Sequence, residues 1–350
     1  MSRTIKILVN SNSASSNGSY MAVEHYRNFG PYDHMRRYMG KPVEADAAQR
    51  ITDIDWKRYD IMHFQNPHND NHLNMMHRCK MEGIKILVDY DDDLINLPVN
   101  NHNYLQFQAQ GQNNVASKIE QMMKLADAVI VSTTALQGVH SQWSDPVVIE
   151  NCWYPQKQPI NTGEVNPLIL WRGSQSHADD IIEFQNEVVD LMQESRGVHW
   201  CFWTDTANIA SWTMDIPSLH EDPQNGKWRK LPAVPMMEYM HRLVKDIRPM
   251  LTIVPLKNYA FNQAKSNIAW IETTLAGGLT VAPKWTEWNH KGVLKYSNRP
   301  EFKQKVIDVL KGKVNIEKNR AASMAVIKEK YNLDVRNLER WEIIEKLAGN

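Results

Sequence analysis

The stretch Leu251–Pro283, LTIVPLKNYAFNQAKSNIAWIETTLAGGLTVAP, decides the fold. The apolar run Leu251–Val254 ends at Pro255, a helix is expected from near Ala264, Gly277 and Gly278 stop it, and Leu279–Ala282 is a second apolar run of strand length. This is the pattern of a βαβ unit. In such units a ligand lies beyond the carboxyl ends of the strands, and the helix start offers free N–H groups and a positive dipole end to an anion. Lys265 and Ser266 stand at that start. Glu272 follows on the same face about two turns later, roughly 10 Å along the axis, which suits a cation for phosphate and a carboxylate for ribose. The plain alternative is a buried βαβ unit in some other doubly wound protein.

Upstream the same rhythm recurs. Strands are expected at residues 5–9, 61–64, 84–88, 128–132 and 147–149, with helices at about 71–81 and 117–125 between them. Gly30 and Pro31 break an early helical region. Residues 151–167, with Pro155, Pro159 and Pro167, read as a linker. Beyond it come a strand at 168–171, a helix at 179–194, a strand at 199–203, an irregular polar stretch at 204–230 and a helix at 235–248. The chain closes with helices at 299–312 and 316–347, the second interrupted near Asn332. Strands alternating with helices imply parallel sheets covered on both faces. A length of 350 residues suits two such domains, 1–155 and 165–330, followed by a helical segment at 331–350.

The signature resembles that of GT-B glycosyltransferases, specifically the group 1 family in its phage and bacterial forms. The matching residues are Pro255, Leu256, Phe261, Asn262, Lys265, Ser266, Glu272, Gly277 and Gly278. The resemblance implies two Rossmann-like domains with parallel sheets facing a central cleft, Lys265 on the diphosphate and Glu272 on the ribose hydroxyls of a nucleotide-sugar donor. It implies an acceptor-binding first domain, and a final helix that crosses back onto it. It also implies transfer without a metal or other cofactor, and retention at the anomeric carbon. Many members carry an acidic residue on the donor sugar eight positions before the Glu, and here that position is Ala264.

Four further groups of residues are candidates. Asn10–Ser19 follows the first strand, and Gly18 and Ser19 resemble the family's loop near the donor phosphates. Arg172, Gly173 and Ser174 end the first strand of the second half; Gly173 resembles the glycine that lets a diphosphate approach backbone N–H groups, and Arg172 suits charge on the leaving group. His177 follows on that loop, and Trp203 and Asp205 fall where the family places base contacts. Asp89, Asp91, Asp92 and Asp93 follow a buried strand, and crowding carboxylates is costly unless something offsets their charge. One reading of them is the DxD metal motif of GT-A enzymes; the other is the DDDL segment of phage and bacterial GT-B sequences, with Asp91, Asp92 and Asp93 serving the acceptor or acting as a base. The signature near the C-terminal end favours the second. His63, on the preceding strand, is a candidate catalytic residue or a buried core histidine. His68 and His72 are read as first-turn residues of a helix capped by Asn69 or Asp70, with no metal assigned.

Composition narrows the function classes. Lys plus Arg and Asp plus Glu number 40 each, so no global field draws the chain to nucleic acid or anionic membrane. Cys79, Cys152 and Cys201 are far apart and form no CxxC, which argues for a reducing compartment. No apolar run is long enough for a signal peptide or a membrane span, so a cytoplasmic protein is expected. The 12 tryptophans and 17 methionines are expected mainly in the core. The acceptor stays open among a hydroxymethylated pyrimidine in phage DNA, a surface glycan and a small metabolite. If DNA is the acceptor, Arg27, Arg36, Arg37 and Lys41 are the basic residues expected on the cleft rim. A nucleotide-sugar epimerase and a noncatalytic nucleotide-sugar binder are the rival classes.

Overall fold

The computed structural model describes residues 3–11, 21–48, 54–101, 104, 114–204 and 228–349. Its first half runs β1 (Ile5–Asn10), α1 (Ala22–Arg27), α2 (Phe29–Arg37), β2 (Val43–Ala47), β3 (Ile61–Gln65), α3 (Asp70–Glu82), β4 (Lys85–Tyr90), α4 (Val115–Leu125), β5 (Ala128–Val131), α5 (Thr134–His140) and β6 (Val147–Val148). The second runs β7 (Asn166–Arg172), α6 (Ala178–Glu183), α7 (Gln185–Glu194), β8 (His199–Trp203), β9 (Trp228–Leu231), α8 (Met236–Arg242), β10 (Pro249–Ile253), α9 (Ala260–Gln263), α10 (Ile268–Leu275), β11 (Leu279–Pro283), β12 (Leu294–Tyr296), α11 (Arg299–Leu310), α12 (Ile316–Lys330) and α13 (Leu333–Leu347).

The strands form two six-stranded sheets, ordered β2-β1-β3-β4-β5-β6 and β12-β11-β10-β7-β8-β9. Every pairing is parallel. The strand order reverses between β1 and β3 in the first sheet and between β7 and β10 in the second. Ligands of open parallel sheets bind at such reversals, outside the carboxyl ends. In each half, apolar side chains of the central strands fill both sheet faces. One face of the first sheet packs on α3 and α4 through Met76, Cys79, Ile119 and Met122. The other packs on α2 and α13, where Phe29, Tyr32 and Met35 meet Trp341, Ile344 and Leu347. Thus α13 leaves the second half and completes the core of the first. All three cysteines are buried free thiols, and Trp200, Trp270 and Trp288 are among the most buried side chains.

Local chemistry explains most of the boundaries. Asn69 caps α3 by accepting from His72 N at 3.0 Å, and Gly83 ends it in the left-handed region at φ 74°. The early break falls at Asn28 rather than at Gly30 and Pro31, which lie in the first turn of α2, where a missing N–H costs nothing. Gly30 is required there, because a Cβ would stand 1.9 Å from the His25 carbonyl oxygen. The helix expected at 179–194 is two helices broken at Phe184, whose ring packs on Phe302 at 5.0 Å. The signature helix begins at Ile268, not near Ala264; Ala264 ends the short α9, and Lys265 and Ser266 occupy the turn between the two helices. Edge strands β2, β9 and β12 were not expected from the sequence.

Candidate functional site

The signature loop of the second half meets the first half directly. Phe261 and Ala264 pack into the first half's core, and Thr133 Oγ1 donates to the Ala264 carbonyl at 3.0 Å. Lys265 extends over the Phe261 ring at 4.2 Å to Asp92, whose Oδ1 lies 2.5 Å from Nζ. Ser266 Oγ accepts from Asn151 Nδ2 at 3.0 Å. The loop therefore presents its cation to the carboxylates of the first half.

Glu272 lies on α10, 2% exposed, and both its oxygens are engaged. Oε1 accepts from Tyr26 OH, on α1, at 2.7 Å. Oε2 accepts from Tyr239 OH, on α8, at 3.1 Å and ion-pairs with Arg172 at 2.7 Å. Burial, reinforced by the carboxylate, pushes both phenols well above their ordinary pKa, so they stay neutral donors. Burial works against the charge of Arg172, but Glu272 and the two tyrosines outweigh it and hold the pKa up. Its guanidinium lies 5.7 Å from the Tyr239 ring centroid. Lys265, Arg172 and Glu272 thus stand at the reversal between β7 and β10, each balanced by protein groups.

The aspartates divide by role. Asp91 follows β4, accepts from Asn66 Nδ2 and from Gln65 Nε2 at 3.4 Å, and donates its N–H to Asn66 Oδ1 at 3.0 Å. Asn66 adopts φ 50° to reach it. Burial, then the neighbouring Asp92, raise the Asp91 carboxyl to about 6. Asp93 departs from the expectation: it is buried and accepts from Ile95 N at 3.2 Å, Asn96 N at 3.1 Å and Asn96 Nδ2 at 2.7 Å, so it folds its own turn. Asp89 is fully buried and gripped by Arg27, with Nη2 to Oδ1 at 2.7 Å. Of the two readings of His63, its surroundings fit the core one. It is fully buried, its Nδ1 is 2.7 Å from Tyr32 OH, its Nε2 is 3.6 Å from Asp89, and burial lowers its pKa. It is a neutral core histidine.

Other expectations shift in the same way. Asn262 is 2% exposed, and its Nδ2 goes to Asp180 Oδ1 at 2.6 Å and the Lys257 carbonyl at 3.0 Å, so it braces the segment after β10. A Cβ on Gly173 would meet the Trp171 ring at 2.8 Å, so protein packing alone requires glycine there. Ser174 is exposed, with its hydroxyl 2.7 Å from that of Ser176. Trp203 is buried and donates to the Pro232 carbonyl at 2.8 Å. Gly18, Ser19 and Asp205 lie outside the described residues. The four basic residues expected on a rim are engaged elsewhere: Arg27 is buried on Asp89, Arg36 and Arg37 pair with Asp33, and Lys41 lies over Trp341 at 5.0 Å. Tyr26, Tyr239, Asn66 and Asp180 were not singled out as site residues in the sequence, because only the tertiary fold brings them to Glu272, Asp91 and Asn262.

Among the described residues no three His, Cys, Asp or Glu side chains cluster to hold a metal, and no helix is long and apolar enough to cross a membrane. No family model matches the chain, and no curated protein matches it. Solved structures do. The catalytic domain of starch synthase IV from Arabidopsis thaliana, bound to ADP and acarbose, superposes with a TM-score of 0.63 at 10% identity, covering 100% of both chains. A glycosyltransferase from Rickettsia africae does so with a TM-score of 0.62 at 13% identity, covering 99% of both. The fold is GT-B. TarM matches with a TM-score of 0.58 at 13% identity over 81% of this chain, which spans 54% of TarM's length. In GT-B terms, the contacts of Lys265 with Asp92 and of Glu272 with Tyr26 bridge the two Rossmann-like halves.

Proposed function

We propose that this chain is a glycosyltransferase that moves a sugar from a nucleoside-diphosphate sugar to an acceptor hydroxyl in the cleft between its halves. The observation that carries this reading is the gathering of Lys265, Arg172 and Glu272 at the β7/β10 reversal, opposite the Asp91–Asp92 edge of the first sheet. Lys265 and Arg172 take the diphosphate in exchange for their present carboxylate partners and stabilise it as it departs. Glu272 takes the ribose hydroxyls once Tyr26 gives way. Asp91, poised near 6, accepts the proton of the acceptor hydroxyl. The ADP carried by the starch synthase neighbour supports a nucleoside diphosphate as the donor's leaving group. The product keeps the anomeric configuration in this reading, which proton NMR of the product tests.

A glycan or small-metabolite hydroxyl fits the acceptor side better than duplex DNA, because Arg27 is buried on Asp89 and the formal net charge is zero, which leaves of the four basic residues only Arg36, Arg37 and Lys41 for phosphate. The deciding experiment measures nucleotide release from a panel of nucleotide sugars, with and without candidate acceptors that include hydroxymethylcytosine DNA. Release that needs an acceptor supports transfer; turnover of the sugar without one points to an epimerase, and binding without turnover to a noncatalytic binder. Activity is expected to survive EDTA, because two protein cations serve the diphosphate. Loss with EDTA restored by manganese would instead support a metal at Asp91 and Asp92.

A further inference from the structure

One carboxylate ties together two loops of the second half. Asp180, in the first turn of α6, is 3% exposed. Its Oδ1 accepts from Lys257 N, on the loop after β10, at 3.0 Å and from Asn262 Nδ2, in the α9 turn that ends that loop, at 2.6 Å. Its Oδ2 lies 2.9 Å from His177 Nδ1, on the loop after β7. The two loops that leave the sheet at its reversal are thereby fixed relative to each other. His177 packs beside the chain end of β7: its Cβ is 3.1 Å from where a Cβ on Gly173 would stand. Its side chain is 24% exposed, and Nε2 makes no hydrogen bond among the described residues.

Other charged groups around it are already paired. Asp179 holds Lys257 Nζ at 2.8 Å and receives Asn100 Nδ2 of the first half at 3.2 Å, and Arg172 at the end of β7 faces Glu272. Asp180 is the direct neighbour, and Nδ1 must carry a proton to bond it. A ring with only that proton presents a lone pair at Nε2, which repels phosphate oxygens; a ring with both protons presents a charged donor.

We propose that His177 is a further catalytic residue of the transfer described above, hydrogen-bonding the departing diphosphate through Nε2–H, with Asp180 as its positioning residue; this rests on the glycosyltransferase reading. In the step, the bond from the anomeric carbon to the β-phosphate oxygen breaks and its electron pair stays on that oxygen. The acceptor oxygen bonds the anomeric carbon on the face from which the diphosphate departs, which keeps the configuration, and the acceptor's proton passes to the Asp91 carboxylate. His177 keeps its protons and offsets the charge that gathers on the diphosphate.

The test compares UDP and ADP binding by calorimetry for wild type, His177→Ala and His177→Gln, with folding checked by thermal melting. The wild type is expected to bind about tenfold more tightly than His177→Ala. His177→Gln, whose amide also donates a hydrogen bond, is expected to recover part of that affinity. Equal affinity of wild type and His177→Ala overturns the proposal while leaving the glycosyltransferase reading intact. Failure of the wild type to bind either nucleotide overturns both. Should both variants melt early, the 15N-labelled ring of wild-type His177 decides: its Nε2 signal must move when UDP or ADP is added, and a fixed signal overturns the proposal.

Discussion

In the proposed reading, the Lys265–Asp92 ion pair at 2.5 Å competes with the donor's diphosphate for the same ammonium. Asp92→Asn is therefore expected to tighten nucleoside-diphosphate binding several-fold, whereas Lys265→Ala should weaken it by about 1.5 to 3 kcal/mol, roughly tenfold to a hundredfold. Calorimetry on both variants checks the pair, and equal effects in the same direction would reject the competition. Asp91 makes a second prediction. Burial first and Asp92 second raise its carboxyl to about 6, so between the ordinary carboxylate range and 6 the folded chain binds more protons than the unfolded one. Stability contributed by this group falls as pH rises through that window and stays lower above it. Asp91→Asn should accordingly melt a few degrees higher at pH 7.5, a gain of about 1 to 2 kcal/mol, with no advantage below pH 4. The same variant should lose most of its kcat, and wild-type kcat should rise with pH to a plateau above about 6. A melting difference that does not change with pH would show that Asp91 does not titrate in this way.

Two glycines at its carboxyl end set the position of α10. Gly277 adopts φ 97°, and a Cβ on Gly278 would lie 2.1 Å from the Pro249 carbonyl oxygen, a backbone atom that cannot step aside. Gly278→Ala is expected to cost more than 2 kcal/mol by denaturant unfolding, since β10 and β11 must part to admit the methyl group. This element was readable in advance because its strands are apolar runs and its stop is a glycine pair. The same holds for β1, β3, β4, β7 and β8, which lie inside their sheets. Of the edges only β6 was readable: VEADA in β2 and WRKL in β9 carry charge on short strands, as edges do, and resemble loop sequence. Of the proposed site, Lys265 and Glu272 stand out by their spacing on one segment. Tyr26 does not, because it meets Glu272 across 246 positions, and burial, which no local pattern reports, decides what His63 and Asn262 touch.

At the scale of the molecule, α13 ties the last residues of the described chain to the core of the first half. Trp341, Ile344 and Leu347 fill the first half's core beside Ile7, Phe29 and Tyr32, while Asn337 donates to the Pro31 carbonyl at 2.9 Å. Trp341→Ala is expected to cost about 3 to 5 kcal/mol and to destabilise the first half selectively. Hydrogen exchange should locate the loss in β1, β3 and α2; uniform exchange across both halves would contradict it. A growing chain meets the same dependence in time. The strands of the first sheet are complete at residue 148, yet the helix that covers one of its faces ends at residue 347. At about 5 to 20 residues per second, that face waits on the order of 10 to 40 s on the ribosome covered by α2 without its partner α13. The second half, closed by α12, can finish folding in that interval, so the half made first is the half that matures last.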